Sequence, residues 1–590
     1  MKRTIYSILG ALCFVPCVMA QNESELNRSV TVERDFQPVI QSAGKVATKP
    51  EVVETTIEPA QVEYSNYTVS VDPEATISPL LSQPTRFMPA DMYHGYVRGG
   101  LGHANTLFDL GYHLNNGKQS KVDVFAHHRA QWVEPVLSKT VIGANFTHSF
   151  KALDVFVGVN GGNIYYHKFG DHYAASIPHN STTLWLAEVF AGVQSNNKSD
   201  LHYRVQTGYK LFSKIDAVSE HQIRTRASLE WNRDVHHVGA NLYVQNNFLK
   251  LGTLAAVIPD SLYNDRHNIR IEPYYEYKGT RVRVHAGVNL DVNVGVGQNE
   301  LSATKNVSFA PSPHVNMEAE LIKNRMTMYA DVTGSFGLGT LQEFMEKNRY
   351  RMIHDGIIEH HVAPYVPVDA ELGFRIKPHK DLLLDIHGGY ALMKNQEVWI
   401  ATGDSSLVRH LPVPVKMRAG EFSFLHTDYQ CGKIGAKANY HYRDIIRVNL
   451  HGEYFFWWGD SVVYDRPNWQ LGLRIDGKID EHWSVYSDNH FAGKRIAKVY
   501  YDASKSYTDV TLSPTIELNL GVEYNMWVGK KVQREKLRVK SSGEQILRPE
   551  SKPNLTLFAQ LNNFIHRRNE TYFEHHSAGI NCVIGATFRF

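Results

Sequence analysis

The chain has 590 residues, with 62 Lys and Arg against 60 Asp and Glu, a formal net charge of +2 that gives no global case for binding nucleic acid or another polyanion. It is 43% hydrophobic with 42 Gly, 31 Tyr and 9 Trp, yet after residue 20 no apolar run is long enough to cross a bilayer as a helix. In an exported chain this combination points to an all-β fold, a transmembrane antiparallel β-barrel.

Export is read from the first residues. Lys2 and Arg3 precede an apolar run from Ile5 to Val18, followed by Val18-Met19-Ala20: a secretory signal peptide over 1–20, cut after Ala20. Cys17 invites lipidation, but Phe14-Val15-Pro16 is a poor match for the small residues such processing needs. Cys13 and Cys17 leave with the signal. Cys431 and Cys582 remain, without a disulfide framework or zinc-type spacing.

Residues 21–90 are rich in Pro, Glu, Thr, Val and Ser, as in Pro50-Glu-Val-Val-Glu-Thr-Thr-Ile-Glu-Pro59, and show no persistent period. They read as an extended periplasmic segment, ordered only against a partner or the barrel lumen.

The barrel is assigned to residues 91–590. From about Tyr93, segments of about ten residues alternate in polarity. In Arg281–Asn293, Val282, Val284, Ala286, Val288, Leu290 and Val292 share one face, and Arg281, Arg283, His285, Asn289 and Asp291 the other. In Leu201–Leu211, Leu201, Tyr203, Val205, Tyr209 and Leu211 oppose His202, Arg204, Gln206 and Lys210. In Ile446–Phe456, Ile446, Val448, Leu450, Tyr454 and Phe456 oppose Arg447, Asn449, His451 and Glu453. Charged faces of this kind suit a wet lumen. Arg281, Arg283, His285, Asp291, Arg447, Asn449, His451 and Glu453 are therefore candidate lumen-lining residues that set permeation preference, or else cross-link the interior by salt bridges.

Short turns are expected at 115–118, 195–200, 232–234, 277–280, 377–380 and 443–444. Long loops are expected at 168–180, 246–266, 336–363, 392–415 and 493–510, matching short periplasmic turns and long external loops. The count is about 22 strands, within 18 to 24, and an even number returns both barrel ends to the periplasm. Aromatics at strand ends, as in Tyr454-Phe-Phe-Trp-Trp458, Tyr274-Tyr-Glu-Tyr277 and Tyr165-Tyr166, suit an interfacial girdle.

In the last strand Ile580, Cys582, Ile584, Ala586, Phe588 and Phe590 share one face; Asn581, Val583, Gly585, Thr587 and Arg589 share the other. An apolar face running to a terminal Phe suits a closing strand in lipid, with Phe588 and Phe590 as a signal to the barrel-assembly machinery.

The stretch Asn554-Leu-Thr-Leu-Phe-Ala-Gln-Leu-Asn-Asn-Phe564, with Tyr572, Gly579, Gly585 and the final Phe-Arg-Phe, resembles the last two strands of TonB-dependent receptors. The resemblance is specific over about the last 40 residues and generic elsewhere. Gly95–Tyr112 looks like a first hairpin of plugless, receptor-like barrels of the Bacteroidetes. It implies an outer-membrane location, a 22-stranded barrel and solute passage. The family's folded plug finds no counterpart in residues 21–90, which puts a gated import cycle in doubt. Ser29, Val30, Thr31 and Val32 resemble the stretch through which such receptors contact an energising protein by adding a strand edge to edge.

Other chemistry is weak. The doublets His127-His128, His236-His237, His360-His361 and His575-His576 rarely supply two ligands to one ion, because strand neighbours point to opposite faces. His354-Asp355 has no nucleophile elbow or third member beside it. The basic run Lys530–Lys540 reads as a solvated turn. No catalytic residue, cofactor or metal is assigned. The expected partners are outer-membrane lipid, the barrel-assembly machinery and a periplasmic or outer-membrane protein. Two functional readings remain. One is a receptor-like barrel passing or gating a solute; the other is a scaffold barrel of an outer-membrane complex, docking partners through residues 21–90.

Overall fold

The computed structural model describes residues 94–116, 119–167, 181–196, 200–256, 265–295, 307–351, 363–403, 406–408, 415–417, 421–443, 445–459, 462–501, 503–528 and 554–590. The signal, the segment 21–90 with Ser29–Val32, the pairs His354-Asp355 and His360-His361, and the run Lys530–Lys540 lie outside these residues.

The strands run in chain order. The first five are β1 (Gly95–Gly102), β2 (Asn105–Asn116), β3 (Ser120–Gln131), β4 (Leu137–Ser149) and β5 (Leu153–His167). Then come β6 (Ser181–Ser195), β7 (Leu201–Lys214), β8 (Val218–Arg233), β9 (His236–Leu251) and β10 (Arg266–Lys278). Next are β11 (Val282–Val294), β12 (Val307–Ile322), β13 (Met326–Phe336), helix α1 (Leu341–Lys347), β14 (Tyr365–His379) and β15 (Leu382–Thr402). The short strands β16 (Ser406–Val408) and β17 (Val415–Met417) precede β18 (Phe422–Tyr442), β19 (Ile446–Gly459), β20 (Trp469–Lys478) and β21 (Trp483–Ala492). Last come β22 (Arg495–Tyr501), β23 (Ser506–Leu512), β24 (Thr515–Trp527), β25 (Asn554–Asn562), β26 (Glu570–Tyr572), β27 (His575–His576) and β28 (Asn581–Arg589).

One sheet holds 24 strands; two of them, β22 and β23, are a hairpin attached through a short parallel contact with β15, which leaves a ring of 22. Neighbours in the ring pair antiparallel. The ring closes where β1 meets β28, with Tyr96 opposite Arg589 and Gly100 opposite Gly585. Gly95 and Phe590 complete the seam with two backbone hydrogen bonds of 2.9 Å. A Cβ at Gly585 would lie 2.1 Å from the Gly99 carbonyl oxygen, so this crossing of closing strands needs a glycine. Among the described residues no helix is long and apolar enough to cross a membrane.

Period two separates two environments. In β11, Val288 is 45% exposed on the outer face, while Asp291 and Asn293 are 0% exposed on the inner one. In β28, Ile584 is 68% exposed outside and Val583 fully buried inside. Cys582 is exposed on the outer face and Cys431 buried, and both are free thiols. Exposed aromatics sit at strand ends. Trp231, Tyr440 and Trp483 are at the short-turn end, and Trp185, Trp458 and Trp469 at the loop end. The aromatic run 454–458 contributes three of its five members to this girdle. Tyr454, Phe456 and Trp458 face out, whereas Phe455 and Trp457 turn inward toward Tyr429 and Cys431, because strand neighbours alternate.

An arginine at Val288, midway along β11, should destabilise the folded barrel by about 2–4 kcal/mol, against about 0–1 kcal/mol for Ile479→Arg in the β20–β21 turn. Urea unfolding in lipid vesicles reads both; equal costs would remove the lipid-facing assignment.

Candidate functional site

After β13, the loop of residues 337–351 folds inward across the end of the barrel that carries the long loops. Its helix α1 starts at a capping box: Thr340 Oγ1 accepts from the Glu343 amide at 3.0 Å, and Glu343 Oε2 accepts from the Thr340 amide at 3.1 Å. The helix buries Leu341, Phe344 and Met345 against inward side chains of distant strands: Ile164, Tyr166, Leu184, Phe212, Val218 and Phe424. Beyond α1, the Arg351 guanidinium lies 3.0 Å from the Phe344 ring centroid, 3.7 Å from that of Trp399, and 3.7 Å from Glu397 Oε2. Tyr350 stacks on His575 at 3.7 Å, and the Tyr572 hydroxyl donates to the Lys347 carbonyl at 2.9 Å.

Polar side chains of the wall hold the near end of this loop. Glu220 of β8, fully buried, accepts from the Leu341 amide at 2.9 Å. Arg266 of β10 donates to the Leu338 and Gly339 carbonyls at 2.6 and 2.8 Å, and pairs with Glu220 at 3.3 Å. The Arg270 guanidinium donates to the Phe336 carbonyl at 2.9 Å.

Beneath the loop lies a cavity of about 850 Å³ with Gly337, Leu338, Gly339 and Glu343 in its roof. Arg204, Gln206, Arg226, Asn241, Tyr243 and Gln245 form one wall; Arg270, Glu272, Asn289 and His314 form another. The charges differ in what they face. Arg270 Nε donates to Asp291 Oδ1 at 2.9 Å, and Glu343 is engaged in the capping box. Arg204 instead lies 5.0 Å over the Phe156 ring and Arg226 5.5 Å over that of Tyr243. Among the described residues neither meets a carboxylate.

Elsewhere the lumen wall is cross-linked. Lys433 Nζ lies 2.7 Å from Glu371, and Tyr329 donates to Asp385 at 2.9 Å. His387 bridges Asp385 at 3.0 Å and Glu453 at 3.5 Å, and Arg474 bridges Asp476 and Asp488. Of the residues proposed from sequence to line the lumen, Asp291 and Glu453 stand inside these networks. His285 meets Glu272 at 3.2 Å. Asn449 and His451 follow on the inner face of β19, with Arg447 nearer the turn. Arg281 and Arg283 are exposed at the β10–β11 turn, away from the cavity. Phe588 and Phe590 stack at 5.6 Å on the outer face of the closing strand. The strand histidines divide as alternation requires: His127 bonds Asp109 and His128 bonds Thr140, while His236 bonds Tyr275 and His237 bonds Glu230.

No family model and no curated relative matches the sequence. The structure is similar to the siderophore receptor PirA from Acinetobacter baumannii, at 10% identity over 85% of this chain and 81% of that one, TM-score 0.59. It is similar to the copper transporter OprC, at 12% identity over 85% and 81%, TM-score 0.58. The pyoverdine outer membrane receptor FpvA from Pseudomonas aeruginosa PAO1 aligns at 12% identity over 85% and 79%, TM-score 0.57. At such identities the likeness establishes the fold. The chain has the closed 22-stranded barrel fold of TonB-dependent receptors. Its apolar outer belt and closed ring place it in the outer membrane.

The crossing loop was legible only in part. Thr340-x-x-Glu343 ahead of Phe344 and Met345 is a capping-box signature inside the long loop 336–363, and it marks the helix but not its inward course. Breaking a buried ion pair from one side costs about 3–5 kcal/mol. Arg351→Ala should therefore release the loop while the ring stays folded. Proteinase K should then cut within 337–351, and single-channel conductance should rise. An uncut loop with wild-type conductance would mean that the apolar cluster alone holds it.

Proposed function

We propose that this barrel passes an anionic, hydrogen-bonding solute across the outer membrane, with the loop 337–351 closing its outer mouth at rest. The observation that carries this reading is the pair Arg204 and Arg226 in the cavity, set among amides and a phenol rather than carboxylates. Cationic side chains without carboxylate partners among the described residues, aimed into a wet channel, favour anions there. A scaffold has no use for an 850 Å³ polar chamber under a crossing loop, so the cavity favours passage over scaffolding. The names of the similar structures, a siderophore receptor and a copper transporter among them, also describe proteins that handle solutes.

In this reading residues 21–90 lie in the periplasm, and Ser29–Val32 offer a strand edge to a partner there. Phe588 and Phe590 present the closing strand to the assembly machinery. His285, Asp291, Asn449, His451 and Glu453 tune the wall through their networks, and Arg281, Arg283 and Arg447 charge its periplasmic side.

Reversal potentials in a KCl gradient across planar bilayers test the reading, with wild type and Arg351→Ala as backgrounds. The double change Arg204→Ala and Arg226→Ala should lower the chloride-to-potassium permeability ratio by about fivefold, since a unit charge at contact distance in water contributes about 1 kcal/mol. An unchanged ratio in both backgrounds would overturn the anion assignment. No conductance in either would return the scaffold reading to the front.

A further inference from the structure

Three side chains of consecutive strands converge on the cavity wall: Glu272 of β10, His285 of β11 and His314 of β12. One ligand atom from each lies within 4.8 Å of the other two. His285 Nε2 is 3.2 Å from Glu272 Oε1, His314 Nδ1 contacts the same oxygen, and the two imidazole centroids are 4.6 Å apart. We infer that Glu272, His285 and His314 form a binding site for one divalent cation of the zinc class.

The donor set is the first argument. Two imidazoles and one carboxylate form a three-ligand zinc site of the open kind, with bonds of about 2.0–2.2 Å and a fourth position free. Tetrahedral bonds of that length put donors about 3.3 Å apart, so contraction by up to about 1.5 Å at the widest pair closes the site.

Its surroundings are the second. The Asn241 amide donates to Glu272 Oε2 at 2.9 Å, which turns Oε1 toward the imidazoles. His285 stacks on Tyr274 with centroids 4.8 Å apart, which fixes the ring. Such outer partners orient metal ligands. Gly287 keeps the meeting point clear: a Cβ there would lie 3.0 Å from Glu272 Oε1 and 3.3 Å from His285 Nε2. Asp331 of β13 acts electrostatically on His314, and its buried Oδ1 has no hydrogen-bond partner. A further carboxyl beside the imidazoles, with an oxygen left without a hydrogen bond, adds to the attraction for a cation.

The register explains why three strands meet here. Gly287 stands opposite His314 across β11–β12 and opposite Tyr274 across β10–β11, so Glu272 and His285 flank His314 diagonally on the inner face. Glu272 and His314 also line the cavity, which leaves the fourth position facing the lumen, open to water or an anion.

The test is zinc binding to the full folded chain in detergent, stripped with chelator and titrated with zinc chloride by calorimetry. Wild type should take up one tight equivalent. His285→Ala with His314→Ala should lose it, keeping only weak uptake by other histidines. Glu272→Gln preserves the size and hydrogen bonding of the side chain and should bind at least tenfold more weakly. Heat-modifiable migration on gels checks folding of each variant. Cobalt chloride added to wild type gives an answer that needs no variant: visible bands saturating at one equivalent are expected. Equal zinc uptake by wild type and variants, or no saturating cobalt bands in wild type, would overturn the site.

Discussion

The structure depends on one requirement: in hydrocarbon a backbone amide or carbonyl finds no water, so each must pair within the protein. A sheet meets this requirement only by closing, and here closure falls on β1 and β28. Several features follow. The closing strand must be apolar outside as far as Phe588, because that face meets lipid. A glycine must stand at Gly585, where a side chain would strike the Gly99 carbonyl. The alternation must persist around the ring, because a register slip of one residue would send Asp291 into lipid and Val288 into the lumen.

Closure also sets the problem of the interior. A ring of 22 strands is too wide for opposing side chains to fill. This protein divides the space. Around β13–β21, carboxylates, lysine, arginine and His387 neutralise one another along the wall. Such networks add little net stability, since desolvation offsets much of the attraction, but breaking one from one side is costly. Across the mouth the protein sends a loop, and apolar contacts supply what the polar wall cannot. Leu341, Phe344 and Met345 give the barrel a small core of ordinary kind, made from inward residues of strands far apart in sequence.

That difference explains what could be read from the amino acids. A strand between lipid and water records both environments in alternate positions, so β11, β19 and β28 announce their faces, and the strand count emerges with the turns. The crossing loop records only that it holds a capped apolar helix. Its partners, Ile164, Leu184, Phe212 and Phe424, belong to strands whose inner faces look merely less polar near the top. Individual lumen residues are read less well for a related reason. Alternation fixes the face of a residue but not its height, so Arg281 and Arg283 share a face with Asp291 yet stand at the turn. Adjacent histidines stand out in the sequence as doublets. Glu272, His285 and His314 meet only through the pairing of three strands, which no local spacing shows.

Height and pairing together give the cavity its character. Five of its lining residues are formally charged, Arg204, Arg226, Arg270, Glu272 and Glu343, apart from His314. Arg270 is matched by Asp291 at 2.9 Å, and the Glu343 carboxylate accepts from the Thr340 amide of its own helix cap. Glu272 is held between two imidazoles. What remains uncompensated is the side bearing Arg204 and Arg226, facing a wall where a bound cation would add positive charge. Both walls then favour an anion, one through guanidinium groups and the other through an open coordination position. The roof over that space rests on Glu220 and Arg266, whose own charges are paired with each other. The anchors of the loop are thereby neutral as a pair, and the chamber keeps its positive character to its own walls.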